Sequence, residues 1–124
     1  MTNTPTLSSR YSDEDLEQFR GIIAKKIRNA QSDLEFYKES MQDMADSPES
    51  KVKGLDDGTG SAEIERLNDL AGRQQKLIRH LEAALDRIDN KVYGVCRETG
   101  TLIPKQRLLA VPHATLSMEA KMAR

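Results

Sequence analysis

A chain of 124 residues with 37% hydrophobic, 4% aromatic and 31% charged residues is long enough for one domain. It has too little apolar material for a thick globular core, which favours an elongated helical architecture. A net charge of -1 with a pI near 6.1 argues against a general basic surface for nucleic acid, a lone cysteine excludes an internal disulfide, and no apolar run approaches the roughly 20 residues of a membrane span.

Residues 1–11 form the first segment, a flexible arm rich in Thr, Ser and Pro and without periodicity. Met1 to Ser9 carries neither the basic region nor the apolar core of a signal peptide, so a cytoplasmic protein is expected. Ser12 then precedes Asp13, Glu14 and Asp15, an N-cap serine followed by acids where the helix dipole favours them. From there positions 16, 20, 23, 27, 30, 34, 37, 41 and 44 alternate in steps of four and three, and only Arg20 interrupts the apolar stripe. The pattern stops over about 45–61, where Pro48, Gly54, Gly58 and Gly60 mark a loop. A second stripe runs through 64, 67, 71, 74, 78, 81, 85, 88 and 92, with Gln74 its only polar member. Two apolar seams of matched length joined by one connection predict an antiparallel helical hairpin over 12–92, packed as a coiled coil. At ~1.5 Å per residue each arm is roughly 45 Å long.

Residues 93–124 form a third segment. Gly94 and Gly100 flank Cys96 in a hairpin-like turn, Pro104 opens a short helix through Leu109, and Pro112 ends it before a last helix over 114–122. This region is laid out like a four-cysteine zinc module. When Cys-x2-Cys-x17-Cys-x2-Cys is laid over it, the ligand positions fall on Cys96, Thr99, Ser117 and Ala120, and only the first supplies a thiolate. A structural zinc site is closed by four ligands, so no zinc and no other cofactor is expected. Cys96 with His113 and Glu119 is an alternative metal set, a weak pairing of ligands. Cys96 as a redox sensor has only Arg97 beside it to lower its pKa, and a small residue packed in the turn is the favoured reading.

Zinc contributes about 10–16 kcal/mol to a small finger. Val95, Leu102, Ile103, Leu108, Leu109, Leu116 and Met118 are available in its place, each contributing roughly 1.5–3 kcal/mol on burial, a sum of the same order. Hydrogen bonds between Thr99 and Ser117 are a further substitute.

Tyr93, Gly94, Cys96, Gly100, Ile103, Arg107, Leu108, Ala110, Pro112, Ala114 and Leu116, downstream of a helical hairpin, together resemble the DksA/TraR family of bacterial transcription factors, the C4-type zinc-finger family. The resemblance implies a mainly α fold, with a long antiparallel coiled coil and a small degenerate finger-like module at the C-terminus. It also implies a regulator that binds RNA polymerase and inserts its coiled-coil tip into the secondary channel to modulate initiation. Some members have degenerate fingers that fold without metal.

From Asp43 to Glu63 six acids oppose two bases, net -4, and from Lys91 onward six bases oppose two acids, net +4. An acidic tip suits a site lined with cations or bound metal ions, although Asp56-Asp57-Gly58 is also ordinary turn chemistry. With the resemblance, Asp56 and Asp57 become the expected contacts to the polymerase active centre and Arg73 the docking residue on the polymerase rim. A tip motif of the family, Asp-x-x-Asp-x-Ala, is absent: Lys53, Asp56 and Gly58 occupy its places. Where responsive members hold cations for the alarmone ppGpp, this chain has His80, Val111 and Lys121, so strong ppGpp dependence is doubtful.

No Ser-His-Asp set, P-loop or dinucleotide fingerprint is present, so an enzyme is not expected. The rival function is a structural coiled-coil adaptor that has lost polymerase binding. Direct specific DNA binding by the basic finger end and membrane association are not expected.

Overall fold

The computed structural model describes residues 10–46 and 59–123. Among the described residues the helices are, in order, α1 (Asp13–Asp46), α2 (Thr59–Asp89), α3 (Lys105–Ala110) and α4 (Met118–Met122). The described part is mainly α, as the two stripes predict. None of its helices is long and apolar enough to cross a membrane.

Helix α1 begins where the cap chemistry requires. The Asp15 amide donates to Ser12 Oγ at 3.1 Å and the Leu16 amide to the Ser12 carbonyl at 2.9 Å, satisfying donors that a helix N-terminus otherwise leaves unpaired. Both long helices extend further than the predicted 45–61 loop allows. Ala45 and Asp46 complete α1, and Thr59 to Ser61 open α2. Alanine is a strong helix former, and the stop signal, Pro48, stands two residues beyond Asp46 in sequence.

The chain divides into two compact units, residues 1–26 with 80–124 and residues 27–79. In the first, Ile23, Leu81, Ile88, Tyr93, Ile103 and Leu108 are 2% exposed or less and form the core. Arg20, the interruption in the stripe, reaches Asp89 at 2.6 Å and Glu17 at 3.4 Å. The arginine thus carries its charge at the solvent-exposed edge, in ion pairs with both long helices. In the second unit Ala30, Leu67 and Ala71 are buried, and small residues at a helical seam permit close approach.

Helix α2 ends at Asp89. Lys91 takes the left-handed conformation (φ 64°), the Lys91 amide bonds the Ile88 carbonyl at 3.0 Å and the Val92 amide bonds the Arg87 carbonyl at 2.9 Å. This turn rotates Val92 out of the stripe, leaving it 49% exposed where its register predicts burial.

The finger region follows. An antiparallel bridge pairs Val95 with Leu102, and the Ile103 amide closes onto the Gly94 carbonyl at 2.7 Å. Gly94 and Gly100 have φ of 78° and 74°, a region costly for residues with a Cβ. At Gly94 space is also limiting, because a Cβ would stand 2.6 Å from the Tyr11 ring. The last helix is shorter than the expected 114–122. Ser117 is extended (φ -68°, ψ 164°) and its Oγ accepts the Ala120 amide at 3.2 Å, so α4 starts only at Met118. A serine that caps competes successfully with a helix running through it.

Candidate functional site

Of the four positions where a C4 finger would place thiolates, one holds a sulfur, and two of the others, Thr99 and Ser117, bond to it. Cys96 is 1% exposed, and its Sγ accepts the Ser117 amide at 3.3 Å. Burial acts to raise the thiol pKa. Hydrogen bonds from Thr99 and Ser117, through both side-chain and backbone groups, act to lower it and prevail, at about 6 against the ordinary 9.0. Thr99 is exposed, and its hydroxyl also pairs with that of Thr101 at 2.7 Å. Ser117 and Ala120 are buried and joined by the cap bond. The expected exchange between Thr99 and Ser117 is therefore replaced by an arrangement in which both address Cys96.

One thiolate, two hydroxyls and an alanine methyl do not fit the zinc of a C4 finger, which needs four donors to close. Among the described residues no group of three or more His, Cys, Asp or Glu side chains could hold a metal ion. Glu119 is exposed.

Side-chain bonds to backbone carbonyls hold the finger instead. Tyr11, assigned to the arm by sequence, is 7% exposed, and its hydroxyl donates to the Ile103 carbonyl. Tyr93 donates to the Pro112 carbonyl at 2.8 Å, Arg87 to that of His113 at 3.3 Å and Arg107 to that of Leu116 at 2.9 Å. A segment without helix or strand thus has its acceptors satisfied one by one. Phe19 lies between the two tyrosines, its ring centroid 5.7 Å from that of Tyr11 and 5.2 Å from that of Tyr93. Ion pairs from Asp13 to Lys91 (2.8 Å) and Asp15 to Lys105 (3.1 Å) link the start of α1 to the finger. Of the apolar side chains expected to replace zinc, Ile103 and Leu108 are fully buried, whereas Leu109 (52%) and Met118 (50%) are exposed.

Tyr11, Phe19 and Arg87 are contributors that seam counting does not find. Tyr11 had a legible signal, an apolar residue directly before an N-cap serine, the position of a hydrophobic staple. Arg87 had none, because its partner is a carbonyl.

Asp56 and Asp57 lie outside the described residues. Arg73 is exposed on α2 in the second unit. In the first unit the His80 and His113 rings meet at a tilt with centroids 5.4 Å apart, Val111 is half-buried, and Lys121 is exposed on α4.

Residues 91–124 match the family model described as prokaryotic dksA/traR C4-type zinc finger. The chain is 35% identical over 113 residues to the RNA polymerase-binding transcription factor DksA of Caulobacter vibrioides, in two strains, covering 90% of this chain and 71% of that protein. It is 29% identical over 101 residues to general stress protein 16O of Bacillus subtilis, covering 77% of this chain and 62% of that one. The solved structure of transcription factor DksA2 from Pseudomonas aeruginosa matches with a TM-score of 0.79 at 26% identity, covering 94% of this chain and 86% of that one. Relatives named as transcription factors and a fold of two long helices followed by a finger region agree with the residues around Cys96, and the chain belongs to the DksA/TraR family.

Proposed function

We propose that this protein regulates transcription by binding RNA polymerase and inserting its acidic tip into the secondary channel to modulate initiation. The observation that carries the proposal is the 35% identity, over 90% of the chain, to a relative named as an RNA polymerase-binding transcription factor. The tip carries Asp56 and Asp57, carboxylates suited to an active centre lined by cations, and Arg73 docks on the polymerase rim. In this reading residues 12–92 are the working hairpin. Residues 93–124, together with Tyr11, are a metal-free base.

The finger acts through protein contacts, because its net charge of +4 is small and no basic recognition helix accompanies it. Response to ppGpp is weak, since of His80, Val111 and Lys121 only the last is a permanent cation. The chain performs no catalysis and acts in the cytoplasm.

The test is transcription in vitro with the double variant Asp56→Asn, Asp57→Asn. Loss of the effect on initiation, with polymerase binding and helix content retained, is the expected result. A double variant as active as the parent would remove the tip from the mechanism, and a parent that neither binds polymerase nor alters initiation would favour the adaptor.

A further inference from the structure

The segment from Pro112 to Leu116 is held by donors from its neighbours, and one of its own side chains is poorly satisfied. His113 Nδ1 is buried without a hydrogen-bond partner. The ring lies against that of His80, tilted by 38° with centroids 5.4 Å apart, and the backbone carbonyl of the same residue accepts from Arg87 at 3.3 Å, so α2 meets this one residue at both ring and backbone.

The charge around the ring has one sign. From α2 it faces His80 and Arg87; beyond α2, Arg97 acts on Arg87, and the Tyr93 hydroxyl is already engaged by the Pro112 carbonyl. From α3, Arg107 bonds the Leu116 carbonyl. Residues 111–116 contain no other ionisable group. Asp86 acts on Arg87, and among the described residues no carboxylate acts on His113. The residue is half-buried, but a proton added at Nδ1 enters a buried position with no acceptor and, among the described residues, no counter-ion acting on the ring.

We propose that His113 is a proton-sensitive latch: protonation of its ring releases the Pro112–Leu116 segment from α2 and opens the C-terminal half of the finger. Burial first, then His80 and Arg87, hold His113 below the ordinary histidine value of 6.5. The closed form therefore binds the proton less readily than the open one. Its stability is fully present above 6.5 and is lost as pH falls through the lower, closed-form value.

The chain has two histidines, so each can be followed by nuclear magnetic resonance in the intact protein. Opening is read from amide hydrogen-exchange protection of Arg97, bonded to the Thr115 carbonyl at 2.9 Å, and of Ala114, bonded to that of Val111 at 3.0 Å. Below the closed-form pKa, the loss of protection at these amides should be about tenfold for each pH unit separating the measured His113 pKa from 6.5. His113→Asn should abolish the acid-induced loss, and His80→Gln should raise the His113 pKa while keeping that proportion. His113 titrating at or above 6.5, or an equal loss of protection in wild type and His113→Asn, would overturn the latch. If His113→Asn does not fold, the wild-type and His80→Gln titrations still decide, because protection that does not follow their two pKa values contradicts it.

Discussion

Tyr11 and Tyr93 each set a phenol on a backbone carbonyl, of Ile103 and Pro112 respectively, and so tie both halves of the finger to the helical part of the first unit. Both hydroxyls have pKa values raised chiefly by burial, so they remain donors throughout the ordinary pH range. Tyr11→Phe keeps the ring against Phe19 and leaves the Ile103 carbonyl without this donor. A loss of about 1–3 kcal/mol is expected in urea unfolding; an unchanged midpoint would mean that water replaces the hydroxyl. Cys96 supplies a pH dependence of its own. Its folded pKa of about 6 lies below the ordinary 9.0, so the thiolate's contribution is present above 9 and is lost as pH falls through about 6. Ultraviolet thiolate absorbance of this single-cysteine chain should titrate near 6, and a midpoint at or above 9 would show that burial offsets or outweighs the bonds from Thr99 and Ser117.

Among the elements, the helices were the most legible. Two stripes of alternating four- and three-residue steps locate α1 and α2, because burial of one face imposes that period on each long helix. The Ser12 cap is visible for the same kind of reason, a short-range bond that needs one hydroxyl at one position. Val92 was misassigned because periodicity does not reveal where a left-handed residue, Lys91, turns the chain. The finger was legible as a glycine-punctuated turn but not in its supports, since those bonds connect residues 19, 26 or 92 apart in sequence to backbone carbonyls. If they replace zinc as proposed, purified protein contains less than one equivalent of the metal and keeps its far-ultraviolet circular dichroism in chelator. Unfolding by chelator would contradict a metal-free finger.

For the whole molecule, family membership joins this chain to proteins named for binding RNA polymerase, while the chain itself departs from the family at two functional features. Three of four zinc-ligand positions lack cysteine, and the tip lacks Asp-x-x-Asp-x-Ala. The first departure is compensated locally, by hydrogen bonds to Cys96 and by the tyrosine and arginine bonds to carbonyls. The second bears on the tip contact proposed above. Sequence carried the family because its motif residues are those that must pack or turn: Tyr93, Ile103 and Leu108 are fully buried, and Gly94 and Gly100 have positive φ. The most direct test of the account is binding of labelled protein to core RNA polymerase from the same organism, with and without a competing secondary-channel factor. Saturable binding displaced by the competitor is the predicted result, and no binding at micromolar concentration would contradict it.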